Sequence, residues 1–590
     1  MKITPININK GQYLDKILIN LPSNAIILKE LPNIGATTNE LKCKRNSILL
    51  QPNVPVIKGK KTKGIFGVYE GVDVSQIMDY LSNDKYEFKK ILVTPESFYK
   101  VKQAAENLNI NLFEDFFLLF DECDRTMKDV GYRESIILPM QDFFSFKHKA
   151  FISATAVIPS DPRFESYGFE HVVIKPTFNY KKAIDIIISN NVSMSLKSTL
   201  MNNGSECYCI FFNSIQGISR IIKELNIGDE SNIYCSKKKA TELNALGIKR
   251  AHENLTTEFA KFNFFTSRFN AAVDIIMDVK PSVVMVTNLN VAHHTMIDPN
   301  SDAVQIVGRF RKGVESIKFI TNMDSTLNAK TPDEAVSYLE GCEESYNVIK
   351  SLRDAAEKEG SIETLNEALE LVKYASFVNA DGSKNHFMVD NFIYEERVKM
   401  LFQDADLLLE AYSSDHFTPT VKTETYRYSD LEEPKGTSES SIKELTTSII
   451  NALQKLELSD GMYTIDNSKE VIEQIRQIFP EIAEGYYILG AEELAKNSYS
   501  KRQINEAIKQ KKNDMGKSDF GFIRSLQIAF PDGYKGTSAT IKKILKRIIE
   551  KHGLNLKAEI QLLNEYFELG PRTTVDNKKG YKIISSKFKR

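Results

Sequence analysis

Two adjacent carboxylates follow a strongly apolar segment in this chain of 590 residues. The segment 116–120 reads FFLLF, and Asp121 and Glu122 come directly after it. Ligands of open α/β sheets bind at the carboxyl ends of the strands, so a strand that ends in two carboxylates suits a metal-assisted reaction. Asp121 would hold Mg²⁺ through its water shell, and Glu122 would orient or deprotonate an attacking water.

Two further segments carry polar side chains that could act with this pair. FISATA at 151–156 is an apolar run that ends in Ser153 and Thr155, and QIVGRFRK at 305–312 begins with Gln305. The second segment also carries three cations, Arg309, Arg311 and Lys312.

Short apolar runs alternate with amphipathic stretches over the first 325 residues. Such runs are typical of parallel strands that helices cover on both faces. They fall into two series, one between residues 25 and 152 and the other between residues 208 and 320. We therefore predict an α/β protein with two parallel-sheet domains in tandem, at 1–180 and 181–330.

The rest of the chain divides into three parts by composition. We predict an acidic helical region at 331–412, a linker at 413–440 and a C-terminal helical domain at 441–590. The chain end reads as two helices, 539–551 and 557–568, with a basic hairpin at 576–584. That order is typical of a winged helix, although a generic helical cap with a basic end fits the same pattern.

The net charge of −1 hides an uneven distribution. Residues 1–300 carry 36 basic and 32 acidic side chains, residues 301–500 carry 20 and 37, and residues 501–590 carry 21 and 9. A basic end beside an acidic middle predicts that the last part meets a polyanion or docks on the acidic part. An ordinary solvated surface is the alternative.

The composition, with 42% hydrophobic and 26% charged residues, is typical of a globular protein. No apolar run reaches the roughly 18 residues that span a bilayer, and the start lacks an apolar signal segment, so we expect no membrane partner. Six cysteines without a CxxC pair favour a reducing compartment, the cytoplasm of a bacterium or of a phage host. The absence of Trp and the many Ile, Lys and Asn residues suit an AT-rich genome and a phage or mobile element.

Through these segments the chain resembles the superfamily 2 helicases, the DEAD/DEAH-like nucleic-acid-dependent ATPases. DECD at 121–124 is similar to their motif II, SAT at 153–155 to motif III and QIVGRFRK at 305–312 to motif VI. Weaker similarities in the expected order are LLQPN at 49–53 (motif Ia), LVTPE at 92–96 (Ib), IFFNS at 210–214 (IV) and FFTSRFNAAVDI at 264–275 (V). The resemblance covers about residues 20–325.

The resemblance implies two RecA-like domains with ATP and Mg²⁺ between them. It implies catalytic roles for Asp121, Glu122, Gln305, Arg309, Arg311 and Lys312. In the family, an arginine called the arginine finger stabilises the charge that develops on the γ-phosphate. Because the family's last arginine falls on Lys312, it stays open which of the three cations is the finger. Ser153 and Thr155 would couple the nucleotide state to nucleic acid, which Pro52, Thr94 and Thr266 would contact. We expect DNA rather than RNA as the polymer, and replication or recombination proteins as partners.

The phosphate-binding loop departs from the family pattern, because KELPNIGATTNE at 29–40 lacks the lysine that reaches the β- and γ-phosphates. The candidate nucleotide-binding residues are Gly35, Ala36, Thr37 and Thr38. Alignment on Pro32 places Thr37 at the lysine position and Thr38 at the metal-binding hydroxyl. Alignment on Gly35 as the last glycine places Ala36 and Thr37 there. We prefer the first alignment because it keeps both the proline and the terminal threonine.

Three explanations of the missing lysine stay open. A cation could come from elsewhere, such as Lys42, Lys44 or Arg45, and free amides at a helix start attract phosphate without a lysine. Alternatively, the loop binds nucleotide without efficient turnover, or it has lost binding. We predict an ATP-dependent helicase or translocase; the alternative is a catalytically weak or inactive helicase-like scaffold that binds nucleic acid.

Overall fold

In the computed structural model of the chain, the described residues are 1–60, 62–202, 204–245, 248, 250–270, 274–414, 416–430, 442–457, 465, 467–496 and 501–588. The chain forms two compact units, Met1–Thr425 and Tyr426–Arg590. Within the described ranges, no helix is both long and apolar enough to span a membrane.

The first unit begins with an eight-stranded sheet in the order β1-β8-β2-β7-β6-β3-β5-β4, in which every neighbouring pair is parallel. Its strands are β1 (Ile3–Ile8), β2 (Ala25–Lys29), β3 (Asn46–Leu50), β4 (Ile65–Val68), β5 (Lys90–Val93), β6 (Phe116–Asp121), β7 (His148–Ser153) and β8 (Glu170–Pro176). Its helices are α1 (Ala36–Lys42), α2 (Val54–Lys60), α3 (Val74–Leu81), α4 (Phe98–Asn107), α5 (Leu112–Asp115), α6 (Arg125–Lys128), α7 (Met140–Phe143) and α8 (Arg163–Ser166).

Strand β6 shows why the apolar runs are continuous. Phe117 and Leu119 pack in the core on one face of the sheet, and Leu118 and Phe120 pack in the core on the other. Successive side chains of a strand point to opposite faces, so burial of both faces requires an apolar residue at every position. The strand therefore carries no polar side chain until its carboxyl end, where Asp121 begins the site.

A second eight-stranded parallel sheet follows, in the order β12-β11-β13-β10-β14-β15-β9-β16. Its strands are β9 (Lys182–Ser189), β10 (Tyr208–Phe212), β11 (Ser231–Tyr234), β12 (Ala251–His252), β13 (Phe262–Phe265), β14 (Ser282–Val286), β15 (Ser316–Thr321) and β16 (Phe417–Glu424). Its helices are α9 (Val192–Asn202), α10 (Ile215–Leu225), α11 (Lys237–Ala245) and α12 (Asp302–Gly308). Two parallel sheets in tandem confirm the predicted fold class.

Strand β16 corrects the linker predicted at 413–440, because Phe417–Glu424 forms the edge strand of the second sheet. An edge strand needs only one partner and leaves most side chains in water, so its polar sequence showed no apolar alternation. Pro419 fits the same place, since proline within a sheet is confined to edges, strand starts and bulges. Residues 431–440 of the predicted linker lie outside the described residues.

The acidic region is helical, as its sequence indicates. It contains α13 (Pro332–Asp354), α14 (Glu359–Leu371), α15 (His386–Leu401) and α16 (Ala405–Tyr412). Helix α15 packs on both sheets, because Phe387 lies in a core of the first and Val398 in a core of the second. The side chain of Asn391 also donates a hydrogen bond of 3.3 Å to the carbonyl of Lys128, at the end of α6, the helix that follows Asp124.

The second unit combines a helical part with a small antiparallel sheet. Its elements are α17 (Ile442–Glu457), α18 (Ser468–Ile478), α19 (Pro480–Leu489), α20 (Ala491–Lys496), α21 (Lys501–Lys517), α22 (Phe520–Ala529), β17 (Lys535–Thr537), α23 (Ser538–Lys551), α24 (Ile560–Tyr566), β18 (Phe567–Leu569), β19 (Thr573–Val575) and β20 (Lys578–Ser586). The sheet has the order β17-β20-β18, and β19 pairs with β20 as a hairpin. The helix predicted at 557–568 is shorter, because Phe567 and Glu568 belong to β18. From α22 to β20 the order of elements is one helix, one strand, two helices and three strands, and the winged helix stays a prediction.

Candidate active site between the two parallel sheets

Asp121 and Glu122 lie at the carboxyl end of β6 and are both buried. Glu122 has a φ of 53°, in the left-handed region that a residue with a side chain seldom adopts. The backbone amide of Glu122 donates to Asp121 Oδ1 at 3.1 Å, which fixes the turn. The two carboxylates therefore point to different neighbours at the sheet edge, and strained backbone of this kind is concentrated at functional sites.

Asp121 faces the loop that leads into α1, the candidate phosphate-binding loop. The hydroxyl of Thr37 donates to Asp121 Oδ2 at 2.5 Å, and the side-chain amide of Gln51 donates to the same oxygen at 2.8 Å. Gly35 precedes α1 with a φ of 85°, which suits the last glycine of such a loop. Thr38 is exposed, because consecutive helical side chains point about 100° apart and only one of them can face Asp121.

This geometry favours the alignment that we did not prefer from the sequence, with Ala36 in place of the lysine and Thr37 as the metal-binding hydroxyl. Replacing Thr37 by valine removes one hydrogen bond to a carboxylate, and such bonds contribute about 1.5–3 kcal/mol. We expect the Mg²⁺ concentration for half-maximal ATP turnover to rise about tenfold or more in Thr37→Val. Thr38→Val is the matched control, and an equal rise there would restore the first alignment. Titration of turnover with Mg²⁺ measures both.

The residues at this edge fit a magnesium ion that also binds nucleotide phosphates. Among the described residues, no three His, Cys, Asp or Glu side chains cluster in a way that could hold a metal by themselves. Mg²⁺ in phosphoryl-transfer sites is held by one or two protein oxygens together with waters and phosphates. Thr37 and Asp121 provide such oxygens, and Gln51 Oε1 beside them is buried and accepts no hydrogen bond in the described part of the chain.

Glu122 is surrounded by donors from both domains. Gln305 Nε2 donates to Glu122 Oε2 at 3.0 Å, while Lys29 Nζ and Arg309 Nη2 lie 3.8 and 3.7 Å from Oε1. Burial by itself would raise the pKa of Glu122, but Lys29, Arg309 and the Gln305 amide lower it to about 2. The carboxylate therefore stays ionised at neutral pH, which is the form that can orient a water or accept its proton.

The segment 153–155 is hydrogen-bonded to the segment 121–124 through Asp124. The hydroxyl of Ser153 donates to Asp124 Oδ1 at 2.6 Å, and that of Thr155 donates to Asp124 Oδ2 at 3.0 Å. Ser153 also lies 3.1 Å from Glu122 Oε2, which accepts from Gln305 of the second domain as well. One hydrogen-bonded network therefore connects the two predicted coupling residues with the carboxylate that faces the domain interface.

The three cations of motif VI differ in their surroundings. Arg309 is buried, and its Nε donates to the carbonyl of Gln305 at 3.1 Å. Arg311 is exposed and donates to Asp274 at 2.6 Å. Arg309 and Arg311 both line the cavity described next. Lys312 pairs with Asp278 at 2.9 Å, is more than half exposed and does not line that cavity. This arrangement favours Arg309 over Lys312 as the finger cation.

A cavity of about 530 Å³ lies between the two domains of the first unit, within the range typical of small-ligand sites. Its lining residues are Tyr13, Asp15, Lys29, Asn33, Gly35, Ala36, Thr37, Thr38, Lys42, Gln51, Val56, Lys60, Asp121, Glu122, Asp274, Arg309 and Arg311. The domains approach closely at its rim, because a Cβ on Gly308 would come within 2.6 Å of the Pro32 side chain. The loop side chain of Asn33 also donates a hydrogen bond to the carbonyl of Gly308.

The predicted nucleic-acid contacts follow strands β3, β5 and β13 but are themselves buried. The carbonyl of Pro52 accepts from Arg133 at 2.7 Å, and the hydroxyl of Thr266 lies 3.3 Å from the carbonyl of Tyr234. Thr94 is 5% exposed. These side chains shape the sheet edge, and accessible groups beside them, Asn213 and Ser267, line a second cavity of about 490 Å³.

Lys29, Gln51 and Lys60 line the site without having been predicted. Lys29 ends β2, so the rule that ligands bind at the carboxyl ends of strands could have identified it. Gln51 follows β3 and could have been found in the same way. Lys60 lies at the end of α2, and no spacing in the sequence relates it to Asp121.

No protein-family model matches the chain, and no curated protein matches it. Among solved structures, S. cerevisiae Dbp5 bound to RNA and ADP BeF3 is similar over 52% of this chain and 80% of that chain, with 13% identity and a TM-score of 0.34. A DEAD box protein from the hyperthermophile Methanococcus jannaschii is similar over 51% and 86%, with 14% identity and a TM-score of 0.28. The Pyrococcus furiosus Hef helicase domain is similar over 54% and 95%, with 11% identity and a TM-score of 0.30. Each of these likenesses concerns the fold alone.

Proposed function

We propose that this protein is an ATP-dependent nucleic-acid helicase or translocase that hydrolyses ATP between its two parallel-sheet domains. The observation that carries the proposal is the convergence of Gln305 and Arg309, from the second domain, on Glu122 of the first. Carboxylates on one wall of a cleft and a guanidinium on the other are the groups that phosphoryl transfer to water uses.

The residues of the cleft would have different roles in binding the metal, orienting the water and stabilising charge. Thr37 and Asp121 would hold Mg²⁺, which supplies charge stabilisation at the phosphates when bound. Glu122 would orient the attacking water, and Arg309 would stabilise the charge that develops on the γ-phosphate. Gln305 and Arg309 contact Glu122 across the cleft, so a nucleotide bound there would lie between groups of both domains and would stabilise their approach.

Nucleic acid would bind at the carboxyl edges of both sheets, next to Pro52, Thr94 and Thr266. Contacts there would be made chiefly to phosphates, so sequence preference should be weak. We propose DNA rather than RNA as the polymer, and replication or recombination proteins as partners.

The alternative function is a helicase-like scaffold that binds nucleic acid without efficient turnover. One observation favours it, which is that Ala36 stands where the loop lysine belongs. Steady-state ATP hydrolysis with and without single-stranded DNA and RNA separates the two functions. Stimulated turnover is expected, and the better stimulator identifies the polymer; binding of DNA or RNA without turnover under any condition would favour the scaffold.

The basic face of α23 is expected to contribute to nucleic-acid binding. Four of its cations are exposed, Lys542, Lys543, Lys546 and Arg547. Each phosphate that a cation neutralises adds about 0.7–0.9 to the slope of log affinity against log salt concentration. Glutamine at all four positions should therefore weaken binding and flatten this slope by about 3 if each cation contacts a phosphate. Glutamine at four exposed lysines of the first domain, Lys2, Lys10, Lys16 and Lys63, is the control, and equal effects of both sets would assign the slope to net charge alone.

A further inference from the structure

The loop that lacks a lysine faces cations that come from elsewhere in the first domain. Lys29 Nζ lies 3.8 Å from Glu122 Oε1, and Lys60 Nζ lies 3.9 Å from Asp121 Oδ2. Both lysines line the cavity between the domains. Each of the two carboxylates therefore has one lysine beside it, and either lysine could bind the phosphates of a nucleotide in this cavity.

Lys60 lies beside the candidate metal-binding residues of the cavity. Its partner oxygen, Asp121 Oδ2, is the one that accepts the hydroxyl of Thr37 and the amide of Gln51. The lysine therefore stands on the metal-binding side of the cleft, where the β- and γ-phosphates of a bound nucleotide meet Mg²⁺. Its side chain is 33% exposed, so it is open to the cavity. Burial lowers the pKa of the Lys60 ammonium, and Asp121 opposes that shift.

The other cations at the cavity are less suited to the phosphates. The side chain of Lys29 is 7% exposed and faces Glu122, the carboxylate of the water side. Lys42, which the sequence suggested as a substitute, is 66% exposed and lies 3.5 Å from Asp15. Arg311 donates to Asp274 on the second domain. None of these three is the partner of Asp121 among the described residues.

We propose that Lys60, from helix α2, replaces the missing loop lysine and binds the β- and γ-phosphates of a nucleoside triphosphate. This inference rests on the proposed ATPase function and names the residue that completes it. Ala36 provides no charge at the loop position, and the Lys60 ammonium group beside Asp121 would provide it instead. The cation would then come from α2, the helix that follows β3, and not from the loop, while Thr37 and Asp121 would still bind the metal.

Binding of Mg²⁺ with a fluorescent ATP analogue to the full-length chain tests the proposal. Lys60→Met keeps the apolar stem of the side chain and removes its charge, so it should preserve the fold while lowering affinity about tenfold or more and lowering turnover further. Lys58→Met is the matched control, because Lys58 lies on the same helix, is exposed and faces the ring of Tyr69. The control should bind the analogue as the unmodified chain does.

A rescue variant separates a phosphate contact from a structural role. Ala36→Lys restores a lysine at the loop position, and in the Lys60→Met background it should recover a large part of the lost affinity. No loss in Lys60→Met, or a loss that Ala36→Lys leaves unchanged, would overturn the assignment of Lys60 while the ATPase stands. Failure of the unmodified chain to bind the analogue would instead overturn the proposed function, and the assignment with it.

Discussion

Replacing Glu122 by glutamine is expected to lower the rate of ATP hydrolysis about 100- to 10,000-fold, the range that a positioned acid or base group contributes. Glutamine has nearly the same shape as glutamate, and its side-chain oxygen can still accept a hydrogen bond from Gln305. ATP affinity should therefore change little, because Thr37 and Asp121 are untouched. Single-turnover hydrolysis and equilibrium binding of ATP measure the two quantities separately.

Loss of the charge at Glu122 should also change the free energy of unfolding and its dependence on pH, which serves as a control. The pKa of Glu122 in the folded chain, about 2, lies below its ordinary value of 4.5, so its ionised form stabilises the fold. This contribution is fully present above about pH 4.5 and is lost as the pH falls toward 2. The unmodified chain should be more stable than Glu122→Gln at neutral pH, and the difference should shrink on acidification. Chemical unfolding at a series of pH values measures it. Unchanged hydrolysis in a folded variant would remove Glu122 from catalysis.

Much of the fold could be predicted because burial of both sheet faces leaves a strong sequence signal. Continuous apolar runs such as 116–120 and 282–286 are strands β6 and β14 in the structure. Strand β16 gave no such signal, since an edge strand with exposed side chains is composed like a loop. Its pairing with β9 joins residues more than 230 positions apart, and nothing in the local sequence specifies that contact.

Only some residues of the candidate site could be predicted from the sequence. Asp121, Ser153 and Gln305 could be found because each belongs to a short motif at the end of a strand or on a helix. The alignment of the loop could not be decided, because Thr37 and Thr38 are chemically equal and only the direction of the hydroxyl toward Asp121 separates them. Lys60 could not be predicted for a different reason, since its distance from Asp121 depends on how α2 packs against the sheet.

The hydrogen bonds of the cleft suggest how nucleotide state could be transmitted. Glu122 accepts from Ser153 of its own domain and from Gln305 of the other, so both domains contact one carboxylate. A change in the position of Glu122 would therefore alter Ser153, its partner Asp124, and the approach of the second domain together. Under the proposed function, such a shared group would couple hydrolysis to domain movement, and Ser153 would then have a role beyond packing.

Replacing Arg309 by alanine is the second change with a large expected effect. An arginine finger contributes about a 1,000- to 100,000-fold rate increase in phosphoryl transfer, because it stabilises charge that is present only in the transition state. We expect Arg309→Ala to lower the hydrolysis rate within this range and to change ATP affinity far less. Lys312→Ala is the control, since Lys312 lies outside the cavity and pairs with Asp278. Hydrolysis rates at saturating ATP compare the two variants directly. If Lys312→Ala caused the larger loss of rate, the finger would be Lys312. The cleft would then have to rearrange before hydrolysis, because Lys312 would need to leave Asp278 and enter the cavity that Arg309 lines.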